Sequence, residues 1–245
     1  MVSKVALLLA LLPACAFAFF VPNSIFLPKA VYGHLTMNAP NRRCDSYLFQ
    51  QSQLAFNKKL GFMNQDLSWR DAPDLVTQVR TKMTRTHDPD PTNYLEVCRA
   101  RTEFFQNMGN VWDSCINRYY LLSQMDAGVD TNITYPYIYV QMWKHLEFIC
   151  NAGSEVVLTS ENYKVLLNLH GDGAYQDCEN VFLQSLNKDP GSLCTSTQTF
   201  MDCANKALDD YHTPHDIREG WFACEEIRVG YAEDCPNLRC YVIKP

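Results

Sequence analysis

The sequence predicts an all-α fold, a disulfide-reinforced bundle of about seven or eight helices. After residue 92 the apolar residues recur mainly with a helical period, and period-two alternation is short and rare. Glycines and capping residues stand where these periodic stretches end and begin. The chain is 47% hydrophobic and rich in cysteine, so its helices can form a real core that disulfides reinforce.

The first 18 residues have the form of a secretory signal peptide. Lys4 gives a positive start, residues 5–12 are apolar, Pro13 interrupts them, and residues 16–18 offer a small-x-small cleavage site. We expect a mature chain that begins near Phe19, is exported, and has no later membrane span. The alternative is an uncleaved anchor, because the whole apolar run approaches the ~20 residues of a membrane span.

Four regions are expected along the chain. Residues 1–18 are the signal peptide, and residues 19–43 form an irregular N-terminal arm punctuated by prolines. Residues 44–84 form a helical segment, and residues 93–242 form a disulfide-rich helical domain. The linker between them carries two Asp-Pro steps, which disfavour helix before each proline.

The first helix of the larger domain is expected over residues 93–108, with Gly109 as its stop. Its predicted apolar face consists of Leu95, Cys98, Thr102 and Phe105. Asn110 is the predicted cap of a second helix, which ends near Gly128.

Three further helices have clear boundary signals. One is expected over residues 137–152 before Gly153, and another from Asp189-Pro190 through Leu208. Thr213-Pro214-His215-Asp216 predicts the start of the last, with Thr213 as cap and Pro214 as the first helical residue.

Removal of the signal peptide takes Cys15 with it and leaves an even number of cysteines, which predicts five disulfides. A zinc site is not expected, since Cys-x-x-Cys is absent. The bridging residues are Cys44, Cys98, Cys115, Cys150, Cys178, Cys194, Cys203, Cys224, Cys235 and Cys240.

Helix geometry narrows the pairings. Cys194 and Cys203 in one helix would lie about 13 Å apart, too far for a bond. Cys115 and Cys150 lie on two consecutive predicted helices. If these helices pack antiparallel, the two cysteines lie at similar height and can bond. The same holds for Cys178 and Cys203, and the other pairings stay open.

Charge and modification signals fit an extracellular protein. The formal net charge is −6 and basic residues are scattered, so nucleic acid is not an expected partner. Asn132-Ile133-Thr134 is the one N-glycosylation sequon, in a predicted loop.

The search for catalytic motifs predicts no catalytic residue, no metal site and no cofactor. The densest polar cluster is residues 209–216, where His212 and His215 with nearby carboxylates offer a metal or acid–base site. Ordinary capping at an inter-helix turn explains the same residues, and we prefer that explanation.

Aromatic residues at helical spacing allow one more alternative, a pocket that carries an apolar ligand. Core packing is the preferred interpretation. The residues concerned are Tyr135, Tyr137, Tyr139, Trp143, Phe104 and Phe105.

Several cysteines stand in distinctive strings, VWDSCIN, HLEFICNAG, FMDC and GWFACE. With Cys194, these strings resemble the cysteine-rich secreted protein family of nematodes, which includes chondroitin-proteoglycan-like domains. The resemblance covers about residues 94–242 and implies an extracellular protein without established catalysis. No Ser-Gly dipeptide is present, so this chain is not expected to carry a glycosaminoglycan itself.

The sequence therefore predicts a secreted, non-enzymatic protein that binds an extracellular protein, glycan or matrix component. The alternatives are a secreted hydrolase or metal-binding protein using His212 and His215, and a carrier of an apolar ligand.

Overall fold

The computed structural model describes residues 27–84, 91–125, 132–167, 169–211 and 216–241. The predicted signal peptide, the start of the arm and most of the linker lie outside these ranges. Within them the chain is helical and contains no strand, which confirms the all-α prediction. No helix there has both the length and the apolar character needed to cross a membrane.

The described residues form eleven α-helices, compared with the seven or eight predicted, and seven of them have thirteen or more residues. They are α1 (Ser46–Lys59), α2 (Ala72–Thr84), α3 (Thr92–Met108), α6 (Thr134–Cys150), α9 (Gly173–Lys188), α10 (Leu193–Tyr211) and α11 (Ile217–Tyr231). Four short helices complete the described set: α4 (Trp112–Cys115), α5 (Arg118–Ser123), α7 (Ser154–Thr159) and α8 (Tyr163–Leu166). Short 3-10 helices stand at Lys29–His34, Trp69–Asp71, Gly109–Val111, Leu169–Gly171 and Pro190–Ser192.

Helix α6 lies at the centre of the molecule. It is apolar on nearly all sides, and thirteen of its seventeen residues are buried. Such a helix has to be surrounded by other elements. Helices α2 and α3 pack on one side of α6 and α11 on another, while α1 packs on α3 and both α9 and α11 pack on α10.

The N-terminal arm is irregular apart from its 3-10 helix, and its described part is packed on the bundle. Val31 and Tyr32 are buried, and the Tyr32 ring meets the Tyr137 ring of α6 edge-on at 4.9 Å between centroids. The backbone N–H of Thr36 donates to the carboxylate of Asp234, just after α11. This hydrogen bond therefore ties the N-terminal arm to the C-terminal end of the described chain.

Glycines bring α11 close to its neighbours. A Cβ atom on Gly220 would lie 2.4 Å from the backbone oxygen of Asn205 in α10. One on Gly230 would lie 2.7 Å from Nε2 of His145 in α6. Because backbone atoms cannot yield as a flexible side chain does, Gly220 fixes the approach of α11 to α10.

Helix α3 has the predicted length, and Gly109 ends it with a φ of +50°, but the predicted apolar face is wrong. Thr102 and Phe105 are exposed, while the buried face carries Tyr94, Val97, Ala100, Arg101, Phe104 and Met108. The prediction chose the face of Phe105, although the face of its neighbour Phe104 carries more apolar residues at helical spacing. In the structure Phe104 stacks on Trp143 at 4.2 Å between ring centroids, which fixes this face against α6.

The continuous helix predicted after Asn110 is also wrong. The chain forms a 3-10 turn and α4, and then breaks at Ile116. The Asn117 side chain accepts from the backbone N–H of Tyr120 and so caps a new helix, α5. A polar side chain that competes for backbone donors favours such a cap over a continued helix.

Helix α11 begins at Ile217, three residues later than predicted. Asp216 is its N-cap, and its carboxylate accepts from the backbone N–H of Arg218 at 3.0 Å. Hydrogen bonds from the Arg218 side chain hold the pKa of Asp216 below its usual value. The predicted cap Thr213 and first residue Pro214 lie outside the described residues.

The ten expected cysteines form five disulfides: Cys44–Cys115, Cys98–Cys150, Cys178–Cys203, Cys194–Cys235 and Cys224–Cys240. The predicted Cys178–Cys203 pair is confirmed, as is the separation of Cys194 from Cys203. The predicted Cys115–Cys150 pair is wrong. The helix that carries Cys115 breaks after α4, and the helix that places a cysteine beside Cys150 is α3, which contributes Cys98.

Candidate functional site

An open groove of about 760 Å³ lies between α3 and α4 on one side and α11 on the other, with α6 as its floor. We call it the aromatic groove. Five aromatic side chains line it: Phe105, Trp112, Trp143, Phe148 and Trp221. Its edge carries five charged side chains: Asp113, Lys144, Glu147, Glu225 and Arg228.

The aromatic rings of the groove are held by contacts with one another. Trp143 is 1% exposed and anchors the floor. Trp112 meets Trp143 edge-on at 5.5 Å, and Phe105 meets Trp112 edge-on at 5.2 Å. Such edge-to-face pairs fix ring orientation as well as burying area. The floor and the α3–α4 wall are therefore one preformed aromatic surface.

The opposite wall is built in the same way. Trp221 on α11 is half-buried and meets Phe148 of α6 at 6.0 Å between centroids. Phe148 in turn lies 5.2 Å from Phe222. A Cβ atom on Gly153 would lie 2.8 Å from Phe222 and 3.2 Å from Phe148, so the glycine leaves room for both rings.

A buried arginine supports the rings from below. Arg101 is 5% exposed, and its guanidinium carbon lies 5.2 Å from the Phe105 ring centroid and 5.6 Å from that of Trp112. It also forms an ion pair with Glu147 at the groove edge. A cation over aromatic faces stabilises the arrangement.

The edge of the groove is acidic in balance. Lys144 pairs with Glu233 at 2.6 Å, and Arg228 pairs with Glu225 at 2.6 Å. Burial lowers the pKa of Lys144, and the hydrogen bond to Glu233 opposes that shift. Asp113 is exposed and, among the described residues, has no ion-pair partner. The edge cations are thus already neutralised, and a carboxylate is left over.

Core packing explains most of the aromatic set considered from sequence. Phe104, Tyr137 and Tyr139 are buried in the core and Tyr135 is half-buried against it, whereas Phe105 and Trp143 line the aromatic groove. Sequence reasoning missed Trp112, Phe148 and Trp221. The tryptophans themselves were an available signal, because three of the four line this groove and the fourth, Trp69, lines another recess.

The polar cluster at residues 209–216 is only partly visible. His212 and His215 lie outside the described residues, and the visible Asp216 carboxylate is engaged by the α11 backbone and by Arg218. In the described part of the chain, no three His, Cys, Asp or Glu side chains are grouped as metal ligands. The hydrolase or metal-binding alternative, which depends on these two histidines, therefore stays a prediction.

A second polar cluster is sealed in the core. His145 is 0% exposed, and its Nδ1 lies 3.4 Å from Oε1 of Glu226, which is 3% exposed. Burial and the nearby Glu226 and Glu179 raise the pKa of Tyr175 well above its usual value. The four side chains of this cluster are all buried and are not accessible to a ligand, so the cluster acts in packing between helices. They are His145, Tyr175, Glu179 and Glu226.

The predicted glycosylation site is accessible. Asn132 is exposed immediately before α6, and its Oδ1 accepts from the backbone N–H of Thr134 at 3.1 Å.

Comparison with protein-family models, with curated proteins and with solved structures found no match. The resemblance to the nematode family therefore stays a prediction.

Proposed function

We propose that this chain is a secreted, non-enzymatic binding protein whose aromatic groove receives an amphipathic, basic helix of an extracellular protein. The observation that carries the proposal is the pairing of a preformed aromatic floor with an acidic edge.

The residue types of the groove favour a protein partner. Tryptophan, phenylalanine and arginine are enriched in protein interfaces, and tryptophan and arginine dominate their binding energy. Trp112 and Trp221 are half-buried, so each has surface left to cover. A partner that covers both would span the groove from wall to wall.

The shape of the groove favours a helical partner. Its floor and both walls are helices, and an amphipathic helix lies in such a groove with its apolar face inward. Lysine or arginine on the flank of that helix would meet Asp113, the one exposed carboxylate of the edge without an ion-pair partner among the described residues. Charge complementarity of this kind steers association and suppresses acidic competitors.

The test uses a displayed library of 16-residue peptides selected against the folded protein. We expect enriched peptides with apolar residues at helical spacing and a net positive charge. Trp221→Ala should weaken their binding at least tenfold. Asp113→Lys should also weaken it, and because Asp113 is exposed this substitution should leave the fold intact. Tyr47→Ala is the matched control, because Tyr47 is an aromatic residue 72% exposed on α1 outside the groove.

Acidic peptides, or peptides whose binding is equal in the wild type and in Trp221→Ala, would refute the proposed partner. If an apolar small molecule displaces the peptides and binds more tightly than they do, the carrier function takes the place of this proposal.

The extracellular location belongs to the same proposal. Five disulfides form and persist in oxidising compartments, and the sequon at Asn132 is exposed. Intact mass of protein from the culture medium should give a chain that begins near Phe19, has no free thiol and carries one N-glycan. Two or more thiols labelled before reduction would contradict it.

A further inference from the structure

A second recess of about 430 Å³ opens between α1, the loop at residues 65–70 and the end of α5. We call it the glutamine pocket, after Gln50, Gln51, Gln65 and Gln124 in its lining. Aromatic side chains form its base, among them Phe49, Trp69 and Tyr139, which are all at most 5% exposed. No residue of this lining belongs to the aromatic groove.

The loop that forms one wall is fixed by buried hydrogen bonds. Asn57 is 0% exposed, and its Nδ2 donates to the backbone oxygens of Gln65 at 2.8 Å and Leu67 at 2.7 Å. Gln53 donates to Asn57 at 2.8 Å and accepts from the hydroxyl of Tyr139 at 2.5 Å. Gln53 therefore has a structural role in the base of the pocket.

The other wall is joined to the same loop. Nη2 of Arg70 donates to the backbone oxygen of Gln124 at 3.0 Å, and its guanidinium carbon lies 4.1 Å from the Trp69 ring centroid. The Cys44–Cys115 disulfide and the Asp45 cap hold the start of α1. The pocket is consequently preformed, which lowers the entropic cost of binding.

The polar groups available to a ligand are neutral glutamine amides, which can both donate and accept hydrogen bonds. The side-chain amides of Gln50, Gln51 and Gln65 make no hydrogen bond to any other residue that the structure describes. Each amide offers both donors and an acceptor. The two charged lining residues, Asp66 and Arg70, cancel each other in formal charge.

We propose that the glutamine pocket binds a neutral, hydroxyl-rich ligand, namely a neutral oligosaccharide. Sugar hydroxyls donate and accept at once, as the glutamine amides do, and the C–H faces of a sugar ring pack on aromatic side chains such as Tyr120. An anionic ligand would find no excess positive charge here. An apolar ligand would leave the amides desolvated without partners, which is unfavourable.

The test titrates neutral tetrasaccharides of N-acetylglucosamine, glucose and mannose into the full folded chain and follows tryptophan fluorescence and calorimetric heat. A sulfated chondroitin tetrasaccharide is the anionic comparison. We expect at least one neutral sugar to bind. The double variant Gln50→Ala/Gln65→Ala should weaken that binding at least tenfold, and Gln184→Ala, at an exposed glutamine of α9, should leave it unchanged.

The proposal is overturned if no neutral sugar binds, if only the anionic sugar binds, or if the double variant binds as tightly as the wild type. Trp221→Ala separates it from the proposed function. That variant should bind the sugar normally even when it no longer binds peptides in the aromatic groove.

Discussion

Replacement of Asp234 by alanine is expected to lower the free energy of unfolding by about 3–5 kcal/mol, because it leaves a buried charge without its partner. The Asp234 side chain is 0% exposed and that of Arg118 is 4% exposed. Nη1 of Arg118 donates to both carboxylate oxygens of Asp234, at 2.7 and 2.8 Å, and the backbone N–H of Thr36 donates at 2.6 Å. One carboxylate thus joins the arm, α5 and the end of α11.

Urea unfolding followed by circular dichroism at neutral pH measures the loss. Glu103→Ala is the matched control, since Glu103 is 53% exposed in an ion pair with Lys59, and it should cost less than about 1 kcal/mol. The double variant Arg118→Met/Asp234→Leu should recover most of the stability, because it removes both charges. Equal losses in Asp234→Ala and Glu103→Ala would show that the pair is not buried as described.

Removal of the Cys98–Cys150 disulfide by a double serine variant is expected to cost about 4 kcal/mol in the chain-entropy model of disulfide stabilisation. The bond closes a loop with a sequence separation of 52 and joins α3 to the end of α6. These helices carry Phe105 and Trp143, so the same variant should also bind groove peptides less tightly.

The comparison variant removes Cys224–Cys240, whose sequence separation is only 16 and whose expected cost is about 3 kcal/mol. Unfolding curves give the two costs, and mass spectrometry of unreduced peptides gives the pairing itself. A peptide that links Cys115 to Cys150 would contradict the structure and restore the pairing considered from sequence alone.

Local signals in the sequence were enough to predict the helical class and several helix boundaries. Gly109 ends α3 because it adopts a positive φ, and Asp189-Pro190 precedes α10 as expected. The buried face of α3 was also available in the sequence, because Tyr94, Val97, Phe104 and Met108 recur at helical spacing. The stacking of Phe104 on Trp143, which is 39 residues further along the chain, was not available there.

The candidate sites were harder to predict for the same reason. The aromatic groove is formed by residues of α3, α4, α6 and α11, which only the packing of the helices brings together. Disulfide pairing likewise followed from the break after α4, which no strong breaker residue marks. The four tryptophans were the best signal, because each lines one of the two recesses.

The most direct test of the proposed binding function is photo-crosslinking from position 152, an exposed alanine in the lining of the aromatic groove. The folded protein with a benzophenone side chain there is added to extracellular medium conditioned by cells and is irradiated. We expect an adduct to a protein segment with basic residues beside apolar ones, lost on Trp221→Ala and retained on Tyr47→Ala. An adduct with the same yield in Trp221→Ala, or no adduct from position 152, would contradict the groove as the partner-binding surface.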